Sequence, residues 1–283
     1  MILKVGLGQI NPALGNLSRN IAIYEELFTL AKAQAVDLLI FPELGLTGYF
    51  LRDMVPEVAL REDSAILTRL KDMSREIPIA TGFVEESKEH LFYNAGIYLE
   101  DGEVRHIHRK VYLPTYGMFD EQRYFARGKM VRAFDSKFGR AALLICEDLW
   151  HPSTAYIAFQ DGADFLLVLS SSPGRGVDLG EKLVISDTWE TLNKTYAKLF
   201  SQFIFFANRV GYEDGINFWG GSEIITPEGQ QVAKGRYFQE ELVVGEIDTN
   251  DIRRTRISTT LLRDEDLDLT LRELLRIHQK KFA

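Results

Sequence analysis

The chain has 283 residues with one cysteine, and 33 basic against 41 acidic residues give a formal net charge of −8. Apolar residues make up 46% and aromatic residues 11%, values typical of globular proteins, which exclude a disordered or fibrous chain. A single cysteine excludes an intramolecular disulfide and a cysteine-rich zinc site.

The first half of the chain alternates short apolar runs with segments whose apolar residues recur at helical spacing. The run 38–41 is continuously apolar, which is typical of a central strand covered on both faces. Asp101-Gly102 predicts a tight turn between two strands. The predicted strands are 3–10, 38–41, 79–84, 92–98 and 104–108, and the predicted helices are 20–35 and 62–77.

The second half of the chain predicts the same alternation. A helix, a turn and a short strand precede both Phe41-Pro42-Glu43 and Ser170-Ser171-Ser172. This similarity predicts an α/β fold with two sheets between helices, whose reactive loops follow the carboxyl ends of strands. The predicted strands are 141–146, 165–169, 203–208, 222–226, 231–233 and 241–247, and the predicted helices are 152–160 and 181–199.

Two candidate catalytic residues each follow an apolar strand directly. Cys146 lies at a predicted strand-to-helix elbow, where a helix N-terminus would lower the pKa of its thiol. Most free cysteines are inert buried side chains, so its position alone leaves both interpretations open. Glu43 is either a solvated carboxylate at a strand end or, in apolar surroundings that raise its pKa, a general base.

Lys110 is the third candidate, at the end of the strand 104–108. It is either a surface charge or an ammonium that stabilises an oxyanion. His106 and His108 share its face by strand alternation and have the spacing of a metal-ligand pair. No third ligand is suggested nearby, so no metal site is predicted.

These candidates occur in motifs whose order resembles the nitrilase, or carbon–nitrogen hydrolase, superfamily. The motifs are Phe-Pro-Glu-x-x-x-Thr-Gly-Tyr around Glu43, Arg-Lys-x-Tyr-Leu-Pro around Lys110 and Ile-Cys-Glu-Asp-x-Trp around Cys146. The resemblance covers nearly the whole chain. It implies a four-layer αββα sandwich, a Glu–Lys–Cys catalytic triad, hydrolysis without a metal or other cofactor, and a homodimer or higher oligomer.

Within the superfamily, the segment 113–125 and the motif at 146–150 are most similar to the glutaminase domain of glutamine-dependent NAD synthetases. This resemblance implies that Glu121 is a second carboxylate that orients Lys110 and the substrate. It also implies a set of substrate-binding residues around the amide pocket. These are Tyr49, Tyr116, Glu147, Ser171, Ser172 and Arg175.

The expected function is therefore a thiol amidohydrolase that cleaves a small, glutamine-like carboxamide through a thioester on Cys146. The alternatives are an N-carbamoyl amine hydrolase, a nitrilase, or a non-catalytic binding or regulatory subunit. NAD synthetases continue into an ATP-using domain with a Ser-Gly-Gly-x-Asp-Ser loop, which this sequence does not contain. We therefore expect either a free-standing amidase or a separate enzyme that accepts its ammonia.

The last part of the chain predicts an amphipathic tail. Residues 1–247 are expected to form the hydrolase domain and 248–283 a tail whose helix contacts a second subunit, because its leucines recur at helical spacing. The acidic net charge argues against a nucleic-acid partner. No basic, apolar leader begins the chain and no run of 18 apolar residues occurs in it, so we expect a cytoplasmic protein with no membrane partner.

Overall fold

The computed structural model describes residues 1–174 and 183–282. In these residues the strands form two six-stranded sheets and one separate hairpin. The first sheet contains β1 (Ile2–Gln9), β2 (Leu38–Ile40), β3 (Ile79–Glu86), β4 (Phe92–Glu100), β5 (Glu103–Arg109) and β14 (Glu241–Asp248). The second contains β6 (Ala133–Ser136), β7 (Gly139–Ile145), β8 (Phe165–Ser170), β9 (Phe203–Asn208), β12 (Glu223–Ile225) and β13 (Gln231–Lys234), and the hairpin is β10 (Val210–Glu213) with β11 (Ile216–Trp219).

Helices cover the outer faces of the sheets and form the tail. Short 3-10 segments occur at Arg52–Met54 and Cys146–Trp150. The helices in the described residues are α1 (Leu17–Ala33), α2 (Val55–Val58), α3 (Ala65–Met73), α4 (Glu121–Tyr124), α5 (Pro152–Gln160), α6 (Val184–Phe200), α7 (Asn250–Ser258), α8 (Leu261–Asp264) and α9 (Leu267–Phe282).

Each sheet has a parallel centre and antiparallel edges. The spatial orders are β14–β1–β2–β3–β4–β5 and β13–β12–β9–β8–β7–β6. The strands β1, β2 and β3 run parallel to one another, as do β7, β8 and β9. Parallel neighbours end at the same edge of a sheet, so the loops after β2, β7 and β8 are available to build one site.

The core confirms the helix–sheet–sheet–helix order that the sequence predicts. One apolar cluster joins β1 and β2 of the first sheet to the second sheet and its helices α5 and α6. A second cluster joins α1 and α3 to the other face of the first sheet. The sheets approach closely at Gly96, where an added Cβ would lie 2.4 Å from Leu143 Cδ2.

The structure also differs from the predicted elements in places. The helix predicted at 62–77 is Ala65–Met73, because the Ser64 side chain caps it by accepting the N–H of Leu67. The hairpin β10–β11, which turns at Asp214-Gly215, and the edge strand β6 were not predicted. Both are four-residue strands, too short for a clear alternation of apolar and polar residues.

The tail consists of three helices rather than one. It packs on the second sheet's helices, where Tyr156 of α5 donates a hydrogen bond to Glu265 at 2.6 Å. No helix among the residues described combines the length and the apolar character needed to cross a membrane. The division of the chain at residue 247 stays a prediction.

Candidate active site

The three predicted catalytic residues follow three different strands, and the fold brings them together. Glu43 comes three residues after β2, Lys110 directly follows β5, and Cys146 directly follows β7. Cys146 begins a 3-10 segment with a φ of 44°, a left-handed conformation that costs a non-glycine residue about 1–2 kcal/mol. Such local strain is concentrated at functional sites, because the surrounding structure has to hold it.

Lys110 lies at the centre of a buried ion cluster. Its Nζ donates hydrogen bonds of 2.7 Å to Oε1 of Glu43 and of 2.7 Å to Oε1 of Glu121. Burial alone would lower the pKa of Lys110, but the charges of Glu121 and Glu43 outweigh it and hold that pKa well above its usual value. The site therefore keeps a permanent positive charge next to two carboxyl groups.

Glu43 is fully buried, and its carboxylate accepts hydrogen bonds from Lys110 and from two further donors. Asn94 on β4 donates to Oε1 at 2.8 Å, and the backbone N–H of Ser171 donates to Oε2 at 2.8 Å. The Ser171 hydroxyl also donates to the backbone carbonyl of Glu43 at 2.8 Å. These contacts fix the direction of the carboxylate, which a base that serves one particular sulfur requires.

Glu121, at the start of α4, is the second carboxyl group on Lys110. Burial raises its pKa, Lys110 opposes the rise and Glu43 adds to it, which leaves the pKa at about 7. Tyr49 donates a hydrogen bond of 2.5 Å to Oε1 of Glu121, while Oε2 is buried without a partner in the described residues. Burial next to these carboxyl groups also raises the pKa of Tyr49 well above its usual value, so its hydroxyl stays a donor.

Cys146 is buried beside this cluster and keeps 9% of its surface exposed. Burial and the charge of Glu43 raise the pKa of its thiol well above the usual value, against the opposing effect of Lys110. Ser170 at the end of β8 donates to Sγ at 3.5 Å. The resting sulfur is therefore a neutral thiol, and it needs a base before it can act as a nucleophile.

The predicted substrate-binding residues fall into two groups. Tyr116 is half exposed, and its hydroxyl donates to Oε2 of the mostly buried Glu147 at 2.9 Å; Glu147 directly follows Cys146 in the sequence. The hydroxyl oxygen of Ser172 is buried and accepts hydrogen bonds from the indoles of Trp189 and Trp219. Tyr49 and Ser171 are engaged with Glu121 and Glu43, as described above, and Arg175 lies outside the described residues.

Several polar residues that support the site were not singled out from the sequence. Asn94 holds Glu43, and its position in a strand of alternating pattern gave no signal of this contact. Glu213 Oε1 accepts the backbone N–H groups of Tyr49 (2.8 Å) and Phe50 (2.5 Å), and its other oxygen pairs with the buried Arg209. The spacing of Arg209 and Glu213 in the sequence could have suggested an ion pair. It does not indicate that Glu213 also binds the backbone of Tyr49 and Phe50.

A cavity of about 220 Å³ lies against Tyr49 and Glu121, and Arg52 and Asp120 also line it. A larger cavity of about 850 Å³ lies beside α3 and contains none of the catalytic candidates. Within 1–174 and 183–282, no three His, Cys, Asp or Glu side chains are grouped to hold a metal ion. His106 and His108 have different partners: His106 stacks on Phe134, and His108 contacts Asp148.

Comparison with known proteins identifies relatives along nearly the whole chain. A model of the carbon–nitrogen hydrolase family matches residues 4–257. A glutamine-dependent NAD(+) synthetase of Thermotoga maritima is 30% identical over 90% of this chain, which covers 44% of that protein. An N-carbamoylputrescine amidase of Arabidopsis thaliana is 26% identical over 90% of this chain and 89% of its own length.

Solved structures show the same fold. A carbon–nitrogen hydrolase from Helicobacter pylori G27 matches with a TM-score of 0.84 and 24% identity, over 97% of this chain and 99% of its own. The two sheets flanked by helices are thus those of nitrilase-superfamily structures. The chain spans about half the length of the NAD synthetases that it matches.

Proposed function

This chain belongs to the carbon–nitrogen hydrolase family, and from that premise we propose that it is a thiol amidohydrolase that cleaves a small, glutamine-like carboxamide. The observation that carries the proposal is the burial of Cys146 beside an ammonium, Lys110, that two carboxyl groups hold at 2.7 Å. A protein that only binds a ligand has no use for this costly arrangement of buried charges. The glutamine-like substrate class follows from the similarity to glutaminase domains.

In the proposed reaction, Glu43 takes the proton of Cys146 and the thiolate attacks the amide carbon. Lys110 and a backbone N–H near Cys146 stabilise the resulting oxyanion. Glu43 then passes its proton to the leaving nitrogen, which departs as ammonia and leaves a thioester. Water activated by Glu43 cleaves the thioester and releases the carboxylate. Glu121 holds Lys110 throughout, so the ammonium stays in place when Glu43 gains and loses its proton.

The hydrogen-bonded pair of Tyr116 and Glu147, the residue after Cys146, supports a substrate that carries a positive charge. The Glu147 carboxylate, adjacent to Cys146, contacts Tyr116 and lies 3.8 Å from His151. An α-ammonium group held there would place an ω-amide near the sulfur. Ser171 and Ser172 remain predicted substrate contacts through this loop, although their side-chain oxygens already have protein partners.

The second candidate is an N-carbamoyl amine hydrolase. The relative named N-carbamoylputrescine amidase matches this chain over nearly its full length, unlike the synthetases. An amine-bearing carbamoyl substrate would use the same Glu147 carboxylate. A nitrilase uses the same triad and is the third possibility within the family.

An ammonia-release screen tests the proposal directly. ω-Amides, N-carbamoyl amines and nitriles are each incubated with the wild-type protein and with Cys146→Ala, and both proteins are melted to verify folding. We expect ammonia from ω-amides only, and a loss in Cys146→Ala of at least about 100-fold. Equal release by the folded Cys146→Ala variant would refute the mechanism, and release from carbamoyl amines or nitriles alone would select an alternative.

A binding or regulatory subunit is tested by a covalent probe. Because the chain has one cysteine, intact mass after incubation with a glutamine-analogue electrophile counts adducts on Cys146 alone. An amidase gives one adduct, which ω-amides prevent. A protein with no adduct and no ammonia release would be a non-catalytic relative.

We also propose the setting in which the enzyme works. The protein is a cytoplasmic homodimer. It acts on a free amide or supplies ammonia to a separate acceptor enzyme. The support for the dimer is the exposed apolar face of α9, and the support for the acceptor is the similarity to glutaminase domains of synthetases. Stimulation of ammonia release by a co-purified synthetase would identify such an acceptor.

A further inference from the structure

Asp148, two residues after Cys146, is a fully buried carboxylate surrounded by hydrogen-bond donors. Its Oδ1 accepts the backbone N–H groups of Val111 and Tyr112, both at 2.9 Å. Its Oδ2 accepts the N–H of Ile145 at 3.1 Å and lies 2.8 Å from Nε2 of His108. A carboxylate has no proton to give, so His108 is assigned as the donor through Nε2.

These donors come from the two chain segments that carry reacting groups. Val111 and Tyr112 directly follow Lys110, and His108 precedes it by two residues in β5. Ile145 directly precedes Cys146. We propose that Asp148 and His108 form a positioning unit that fixes the ammonium of Lys110 relative to the sulfur of Cys146. This inference rests on the proposed roles of Lys110 and Cys146.

On the side of Lys110, the Asp148 carboxylate accepts the backbone N–H groups that a neighbouring strand would otherwise bind. The strand β5 ends at Arg109, and Lys110 is the last residue whose N–H still bonds to β4, through the carbonyl of Asn94 at 2.9 Å. The next two N–H groups would be unpaired without the Asp148 carboxylate. Both hydrogen bonds are partly buried, and an N–H left without an acceptor costs up to about 1–3 kcal/mol when buried, so this segment would move to find other partners.

On the cysteine side, the same carboxylate holds a strained turn. Cys146 has a φ of 44°, and the N–H of the preceding Ile145 is fixed by Oδ2 of Asp148. Thr154 of α5 in turn donates to the backbone carbonyl of Asp148 at 2.5 Å. A displacement of either segment by about 1 Å would misplace the ammonium from the sulfur, an error that can cost about 100-fold in rate.

His108 offers the sharpest test because a matched control lies two residues away. His106 projects from the same face of β5 and stacks on Phe134, but its Nε2 is buried without a hydrogen-bond partner in the described residues. The variants are His108→Leu, His108→Gln, whose amide N–H can replace the Nε2 donor, and His106→Leu. Asp148→Asn completes the set, since its amide turns a donor toward the N–H of Ile145.

The measurement is the rate of alkylation of Cys146 by iodoacetamide as a function of pH, followed by intact mass. This reaction needs no substrate, and the chain has no other cysteine. The thiol faces the charges of Glu43, Lys110 and Glu121 and the hydroxyl of Ser170. Of these, Lys110 and the Ser170 hydroxyl stabilise the thiolate, and Lys110 is the charged one, so a misplaced ammonium moves the inflection of the rate profile to higher pH.

We expect His108→Leu and Asp148→Asn to shift this inflection upward and to slow alkylation at neutral pH about tenfold or more. His108→Gln should recover most of the wild-type rate, and His106→Leu should follow the wild-type profile. Thermal melting measures stability separately, because lower stability alone does not move the inflection. If Asp148→Asn does not fold, the His108 variants decide.

Superimposable profiles for folded His108→Leu and His106→Leu would overturn the positioning role. This outcome is distinct from failure of the proposed function. A protein that releases no ammonia from any amide, yet shows the shift in His108→Leu, would keep the positioning unit and lose the amidase. Amide hydrolysis by the wild type, with no shift of the inflection in His108→Leu, would keep the amidase and overturn the positioning unit.

Discussion

Glu121 and Glu43 share the ammonium of Lys110, but their environments differ. The pKa of Glu121 is raised to about 7 by burial and by Glu43, against the effect of Lys110. Above pH 7 Glu121 is ionised, and the ammonium of Lys110 is shared between its carboxylate and that of Glu43. Below pH 7 Glu121 gains a proton, so Glu43 is left as the one ionised partner of Lys110 among the three and is held more firmly by the ammonium, away from the thiol of Cys146.

This difference predicts a pH profile. In the wild type, kcat/KM should rise through an inflection near pH 7, since the active form has Glu121 ionised. Glu121→Gln permanently mimics the protonated group, so it should lose this inflection and react at about the low level of the wild type's acid limb, roughly tenfold or more below its maximum. The measurement is kcat/KM from pH 5 to 9 with the amide that the screen identifies.

A second buried glutamate provides the control. Burial also raises the pKa of Glu223, but this carboxyl group contacts Asn193 and Lys234, away from the triad. Glu223→Gln should leave the position of the inflection unchanged. If Glu121→Gln retains the wild-type inflection, Glu121 is not the group whose titration controls the reaction near pH 7.

At the scale of secondary structure, the sequence predicts which strand each catalytic candidate follows, but not the contacts that hold its side chain. Continuous apolar runs such as 38–41 identify buried parallel strands, and residues directly after such strands lie at one edge of a sheet. This reasoning, with the family motifs, places Glu43 and Cys146 correctly. The contact of Asn94 with Glu43 joins residues 51 positions apart in sequence, and no local pattern encodes such a distance.

The short elements illustrate the same limit. The hairpin β10–β11 has only four residues in each strand, yet it positions Glu213, which binds the backbone of Tyr49 and Phe50. Its register depends on packing against distant loops rather than on its own alternation. The supporting contacts of the site are therefore tertiary properties, which a single sequence does not reveal.

Gly82 of β3 lies against the loop that carries Glu43, the proposed base. An added Cβ at Gly82 would lie 2.4 Å from the backbone N of Leu44 and 2.6 Å from Cα of Glu43. Backbone atoms cannot yield as side chains do, so Gly82→Ala should displace Glu43 and reduce kcat by about 100-fold. Steady-state kinetics and thermal melting measure the two effects separately.

Gly6 on β1 is the matched control in the same sheet. A Cβ there would meet only the ends of side chains, the nearest being Val36 Cγ1 at 3.1 Å. Gly6→Ala should therefore lose stability without a specific loss of kcat. A folded Gly82→Ala protein with the kcat of Gly6→Ala would show that the base tolerates this displacement.

At the scale of the whole molecule, the tail helix α9 exposes several large apolar side chains. The helix is amphipathic, as the sequence predicts, and the described residues leave much of its apolar face exposed. Acidic residues lie before and at its start and Lys280 and Lys281 at its end. The exposed apolar residues of α9 are Leu267, Leu269, Leu271, Leu274, Leu275 and Ile277, each at least 39% exposed.

A second copy of the chain is the partner that suits this helix. Two α9 helices packed antiparallel would cover each other's leucines and bring the basic end of one beside the acidic start of the other. We predict that light scattering after size exclusion gives twice the mass of the chain. The double variant Leu271→Glu, Leu274→Glu should give the single mass, because it places four like charges in the symmetric contact.

Leu91 provides the control for this experiment. It is 47% exposed just before β4 of the first sheet, whereas the tail packs on α5 beside the second sheet. Leu91→Glu places the same kind of negative charge at an exposed position outside α9, so this variant should keep the dimer mass. A monomeric wild-type protein would contradict the dimer itself. A dimer that survives in the double variant would place the contact elsewhere on the surface, and α9 would then be free for another partner.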